Sequence, residues 1–105
     1  MYKRLDFDNT KKYYQKIVKE TLEQTKELAA RFPDIPMYQS IYNQIKDIQE
    51  NLIDKRVYFS ENQIFKRYSL GAIAVKNFDL RHEEYAQRLS DIFGGAIEYP
   101  EMPEE

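Results

Sequence analysis

Chemistry needs a nucleophile, a proton shuttle or a set of metal ligands at fixed spacing, and this 105-residue sequence offers few side chains for any of them. It has no cysteine, which removes thiolate nucleophiles, disulfides and zinc–thiolate sites. Its one histidine, His82, stands beside Glu83 and Glu84. Adjacent residues on a helix point about 100° apart, so those two carboxylates diverge and cannot form a convergent acid–base pair. Glu84 and Arg88 are four apart, the spacing of a solvated ion pair. A general base needs a partner within reach of the proton it moves, and the sequence places none beside His82. A metal would need further nitrogen or sulfur ligands, or a cluster of carboxylates. Gly94-Gly95 is too short to cradle a phosphate and falls at the end of a helix, not at a start. No catalytic, cofactor-binding or metal-binding residue is assigned. His82 reads as a side chain at the edge of an apolar stripe, and the chain is expected to be no enzyme and to need no cofactor.

What the sequence offers instead is contact. Tyr38 and Tyr42 lie one turn apart, and tyrosine joins a large contact area to a hydrogen-bonding tip. The pair either packs against a further helix of the bundle or meets a partner. Lys11, Lys12, Lys16 and Lys19, interleaved with Tyr13 and Tyr14, put positive charge near a helix N-terminus, against its dipole. They form either a solvated face or a seat for an anionic surface. Residues 96–105 hold two prolines and four acids and read as a solubilising or docking tail.

Long periodic segments with few breakers must position these residues, and four helices are predicted. The first covers about 8–31. Tyr14, Ile17, Val18, Thr21, Leu22, Thr25, Leu28, Ala29 and Phe32 share one arc of about 140°, Asp6 or Asp8 supplies the cap, and Pro33 ends it. The second covers about 35–54 behind Asp34 and Pro36. Met37, Ile41, Ile45, Ile48 and Leu52 form its stripe, and Tyr38, Tyr42, Gln49 and Ile53 form a second beside it. The third starts after a capping box at Ser60–Gln63 and runs to about Phe78, apolar on most sides and therefore expected at the centre. The fourth covers about 81–93, with Tyr85, Ala86, Leu89, Ile92 and Phe93 inward and Gly94-Gly95 as its terminator. The expected fold is all-α: a compact bundle of about four helices over residues 1–95 with helix three central, followed by an extended or disordered acidic tail, 96–105.

Length and charge narrow the function. A chain of this size forms one domain with one modest core and little room for a deep pocket. A net charge of −2 disfavours nucleic acid as a partner. The opening Met1-Tyr2-Lys3-Arg4-Leu5-Asp6 has no apolar h-region, and no stretch approaches a membrane span, so no membrane association is expected and the cytoplasm is the expected compartment. Residues 1–31 carry 8 basic and 5 acidic groups, and residues 61–105 carry 5 basic and 9 acidic groups.

The segment Tyr68-Ser69-Leu70-Gly71-Ala72-Ile73-Ala74-Val75-Lys76-Asn77-Phe78-Asp79 resembles a motif of small helical immunity proteins of type VI secretion systems, which protect bacteria from an effector that hydrolyses NAD(P)+. Leu70 to Lys76 match it, followed by Phe78 and Asp79. Asn77 stands where the family has an acid. The likeness extends more loosely over residues 10–93 and includes Arg31-Phe32-Pro33. It implies a stoichiometric inhibitor that binds a cognate toxin domain at or near its active site and excludes the dinucleotide. Leu70, Gly71, Ile73, Ala74 and Val75 are then structural, whereas Lys76 and Asp79 are the polar members that could face the toxin. Glu83, Glu84 and Asp91 would steer the protein toward a basic cleft. Tyr38 and Tyr42 complete the candidate partner surface. The alternative is a helical adaptor or secretion chaperone that self-associates through helix two.

Overall fold

Thr10, rather than Asp6 or Asp8, opens the first helix. Its Oγ1 accepts from the Tyr13 N–H at 3.1 Å where extended backbone turns into α1, Lys11–Arg31. Asp8 acts one step back: its carboxylate accepts from the Thr10 hydroxyl at 3.0 Å and from Lys3 at 3.2 Å. A 3-10 turn, Leu5–Phe7, precedes it. The predicted face of α1 is the buried one, with Tyr14, Ile17, Val18, Thr21 and Thr25 in the core.

The computed structural model describes residues 1–105 and consists of helices and connections, without strands. Helix α2, Pro36–Asp47, starts with proline in its first turn, where the missing N–H costs nothing, and Ile35 rather than Asp34 holds the cap position. Ile41, Ile45, Ile48 and Leu52 are fully buried. From Ile48 to Asp54 the helix widens into a π-helical stretch. Arg56 then reverses the chain with a φ of 56°, the one left-handed non-glycine residue.

The third predicted helix is two. Its capping box forms as expected: Gln63 N–H donates to Ser60 Oγ at 3.3 Å, and Ser60 N–H donates to Gln63 Oε1 at 2.8 Å. Helix α3 then covers only Glu61–Arg67, and α4 covers Leu70–Asn77. Between them Tyr68 is extended and buried. The polar edge of α2 holds that break open. Ser69 N–H donates to Gln44 Oε1 at 2.8 Å, Gln44 Nε2 returns to Ser69 Oγ at 3.1 Å, and the Tyr68 hydroxyl donates to the Asp47 carboxylate, which also takes Arg67 Nη2 at 2.7 Å. These bonds come from a distant helix, so local periodicity could not report them.

Helix α5 runs from Glu84 to Glu98, straight through Gly94-Gly95, and a 3-10 turn, Tyr99–Glu101, follows. Its start is later than predicted, because residues 79–83 close a hydrogen-bonded loop. Its end is later because Gly95 is a packing position: the Tyr14 ring lies against it, and the Tyr14 hydroxyl donates to the Ile92 carbonyl at 2.7 Å.

The boundary expected at 95/96 therefore dissolves. Ala96, Tyr99 and Met102 are buried, and the last residues lie across the start of α1, where Lys11 N–H donates to the Pro103 carbonyl at 2.8 Å and Lys12 N–H to the Glu104 carbonyl at 3.2 Å. Both are first-turn donors with no partner inside their own helix. The residues read as an acidic tail thus cap α1.

Central position falls to α1 and α5 rather than to residues 61–77: α1 lies against α2 and α5, and α4 packs on α5. The molecule measures 38 × 27 × 22 Å.

Candidate interaction surface

Helix α4 carries the distinctive motif, and half of it faces outward. Leu70 and Ala74 are fully buried, whereas Ala72, Lys76 and Asn77 are exposed and Val75 is 66% exposed. Val75, expected as structural, is thus a surface residue. An eight-residue helix resting on α5 with one side has only Leu70 and Ala74 fully enclosed. Gly71, one turn before Val75, meets α5: a Cβ there would lie 3.1 Å from the Phe93 ring. Phe65 of α3 stacks edge-on against the same ring at 5.4 Å and is 58% exposed. Phe65, Phe93 and Gly71 therefore form an apolar strip across α3, α5 and α4, and Val75 and Ala72 add exposed apolar surface on α4. Sequence reasoning missed its outward side because an all-round apolar segment was read as buried. The legible signal was the shortness of the run between Ser69 and Phe78.

The predicted polar members sit at the far end of α4. The Asp79 carboxylate accepts from the Arg81 N–H at 3.1 Å and lies 2.7 Å from His82 Nδ1, and hydrogen bonding to His82 lowers its pKa. Glu83 Oε1 accepts from the Asp79 N–H at 2.9 Å, while the Asp79 carbonyl takes the N–H groups of His82 and Glu83. Asp79 and Glu83 thereby shape the α4–α5 loop. His82 is an exposed member of that loop, not the edge of a helical stripe. Lys76 and Glu84 are exposed and bonded to neither partner helix nor loop.

Tyr38 and Tyr42 do not share one environment. Tyr38 is half-buried, packs on the core and lies 5.8 Å from the Phe32 ring. Tyr85 stands nearby, its hydroxyl 2.7 Å from Thr25 Oγ1 and its ring 5.5 Å from Phe78. Tyr38 thus belongs to the same end of the molecule as the Asp79–Glu84 loop. Tyr42, one turn further along, is half-buried under Lys46, whose Nζ lies 5.9 Å from its ring.

Asp91, expected to steer a partner, is a structural anchor. It accepts from the Tyr2 hydroxyl at 2.6 Å, from Arg4 Nε and Nη2 at 3.0 and 2.9 Å, and from the Leu5 N–H at 3.1 Å. One carboxylate ties the N-terminal segment to α5. No group of three or more histidine or acidic side chains converges as metal ligands would, and no helix is long and apolar enough to cross a membrane.

The chain is thus an all-helical domain whose short helix α4 sets exposed apolar surface beside charged side chains. The Tsi6 family model matches residues 13–98, and the chain belongs to that family of type VI secretion immunity proteins. No curated protein and no solved structure matches it.

Proposed function

We propose that this protein binds a cognate antibacterial toxin domain, an NAD(P)+ glycohydrolase, and inhibits it by covering its active site. Family membership over residues 13–98 supports the immunity role, and the resemblance of the Leu70–Asp79 motif supports the choice of toxin. The structural observation that carries the surface is the half-exposed α4. The helix with the motif's apolar residues turns Val75 outward, and its Gly71 shares the Phe93 ring with the exposed Phe65.

Inhibition of this kind needs area and complementarity rather than a reactive group. A standard interface covers about 800 Å² on each partner, and nanomolar affinity corresponds to about −12 kcal/mol. The strip supplies the desolvated centre. Lys76, Asp79, Glu83 and Glu84 supply a charged rim that fixes orientation and rejects wrong partners, and Tyr38 and Tyr42 add the contribution of α2. Cytoplasmic residence follows from the same reading, since the protein must meet a toxin delivered into the cell.

Val75→Asp places a charge at the centre of this surface, at a residue that is 66% exposed. It is expected to weaken toxin binding by about 2 kcal/mol or more, some thirtyfold, in calorimetric titration. Lys76→Glu should lower affinity less and change its salt dependence. Unaltered affinity in both variants, with unaltered melting temperatures, would rule out this face.

A further inference from the structure

A second surface lies at the opposite end of α1 from the Asp79–Glu84 loop. Between the N-terminal half of α1, residues 1–3 and Arg88 of α5 runs a groove of 610 Å³. Lys12 and Lys16, one turn apart on α1, line it together with Tyr13, Tyr2 and Arg88. Two further cations of the groove, Arg88 and Lys3, rest on aromatic rings. Arg88 Cζ lies 4.8 Å from the Tyr2 ring centre and Lys3 Nζ lies 4.8 Å from that of Tyr13. The Tyr13 hydroxyl donates to the Lys3 carbonyl, which fixes the wall between them.

Within the fold Lys12 and Lys16 make only long, exposed ion pairs, with Glu105 and Glu20. The first turn of α1 holds no acidic residue, and positive charge there works against the helix dipole. The side chains of Lys12 and Lys16 are 76% and 65% exposed, so packing does not explain them. Basic side chains in the groove, Lys3, Lys12, Lys16 and Arg88, outnumber the acidic ones, Asp8, Glu20 and Glu105, by one. Glu20 faces both Lys16, at 3.9 Å, and Arg88, at 3.5 Å, and Asp8 faces Lys3 at 3.2 Å.

The molecule also shows what such a wall recognises. The chain's own acidic segment lies extended over the first turn of α1. Glu104 sits 3.6 Å from Lys11 Nζ, and Glu105 sits 3.9 Å from Lys12 Nζ at the mouth of the groove. We propose that the groove is a docking site for an acidic, extended polypeptide segment of a partner protein. The segment's carboxylates would lie against Lys12, Lys16 and Arg88, and its apolar groups on Tyr2 and Tyr13. Glu20 would be the internal competitor that keeps the site weak until such a segment arrives. This inference does not depend on the toxin reading.

The test is a fluorescence titration of the full chain with a labelled short poly-glutamate peptide at low salt, with poly-glutamine and inorganic tripolyphosphate as comparisons. Poly-glutamate is expected to bind and poly-glutamine not. The double variant Lys12→Glu, Lys16→Glu should lose about tenfold or more in affinity, and Glu20→Gln should gain about threefold, as expected for charges that face the ligand directly. Lys19→Glu, exposed on α1 outside the groove, should leave the affinity unchanged. Melting curves check that each variant is folded. Equal losses for Lys19→Glu and the double variant would reduce the effect to diffuse charge and overturn the proposal. So would lysine-dependent binding of tripolyphosphate without binding of the peptide, or no peptide binding at all.

Discussion

A methyl group added at Gly95 would lie 2.5 Å from Tyr14 Cε1 and 2.8 Å from Leu5 Cδ2, while one added at Gly94 would meet nothing within 4 Å. The two neighbours should respond in opposite directions. Gly94→Ala removes a helix-interior glycine and should raise stability by about 0.5–1 kcal/mol. Gly95→Ala must displace a ring enclosed on all sides and should cost about 1–3 kcal/mol. Thermal melts of the two variants check this, and equal shifts would contradict the packing of α5 on Tyr14. The pair also shows where sequence stops informing. Gly-Gly after an apolar stripe looks like a helix terminator, because only a ring more than eighty positions away in the chain makes Gly95 a contact. Asp91 was singled out as partner-steering for its charge. A charge says nothing about which N–H and O–H groups the fold brings to it, and here Asp91 gathers four donors. By contrast, the capping pair Ser60 and Gln63 is local and was fully legible.

The apolar stripes of α1, α2 and α5 were readable because each is long enough for a 3.6-residue period to declare itself. Residues 61–77 were misread as one central helix. The break at Tyr68-Ser69 depends on Gln44 and Asp47, and the outward side of α4 depends on its brevity. The C-terminal residues were misread for a related reason. Two prolines and four acids lack the composition of a core, yet Tyr99 and Met102 are buried and the carbonyls of Pro103 and Glu104 complete the first turn of α1. Removing residues 102–105 leaves two helix N–H groups without these partners and takes away the buried Met102 side chain. The truncated chain is expected to lose about 1–3 kcal/mol in urea unfolding, the scale of an abandoned hydrogen bond together with lost burial. A truncated chain as stable as the parent would show that this segment does not cap α1.

Across the whole molecule, ionisation should set a stability plateau with two edges. Burial pushes the Asp47 carboxyl up, but hydrogen bonds from Tyr68 and Arg67 outweigh it and hold the group below the ordinary range; hydrogen bonding to Lys3 and Thr10 does the same for Asp8. Folded values below the unfolded value, roughly 3.9, give stability that is present above that pH and is lost as pH falls through the folded values. The tyrosines act in reverse. Burial raises Tyr85 to about 12, and burial with the Asp47 hydrogen bond raises Tyr68 to about 12. An unfolded tyrosine ionises near pH ~10, so their contribution is complete below that pH and is lost as pH rises through the folded values. Urea unfolding across pH should therefore show stability falling below about pH 4 and above about pH 10, with a shallower alkaline fall in Tyr68→Phe. Identical alkaline limbs in parent and variant would contradict this. The all-α class and the immunity resemblance were legible in the sequence, since both rest on runs of neighbouring residues. The proposed partner surface was not, since it is assembled from α3, α4 and α5. The most direct measurement is co-expression with the proposed partner, an NAD(P)+ glycohydrolase toxin domain of a type VI effector, following growth and cellular NAD+. Restored growth with NAD+ maintained is the expected result. Growth arrest with falling NAD+, while both proteins are soluble, would contradict the proposed inhibition.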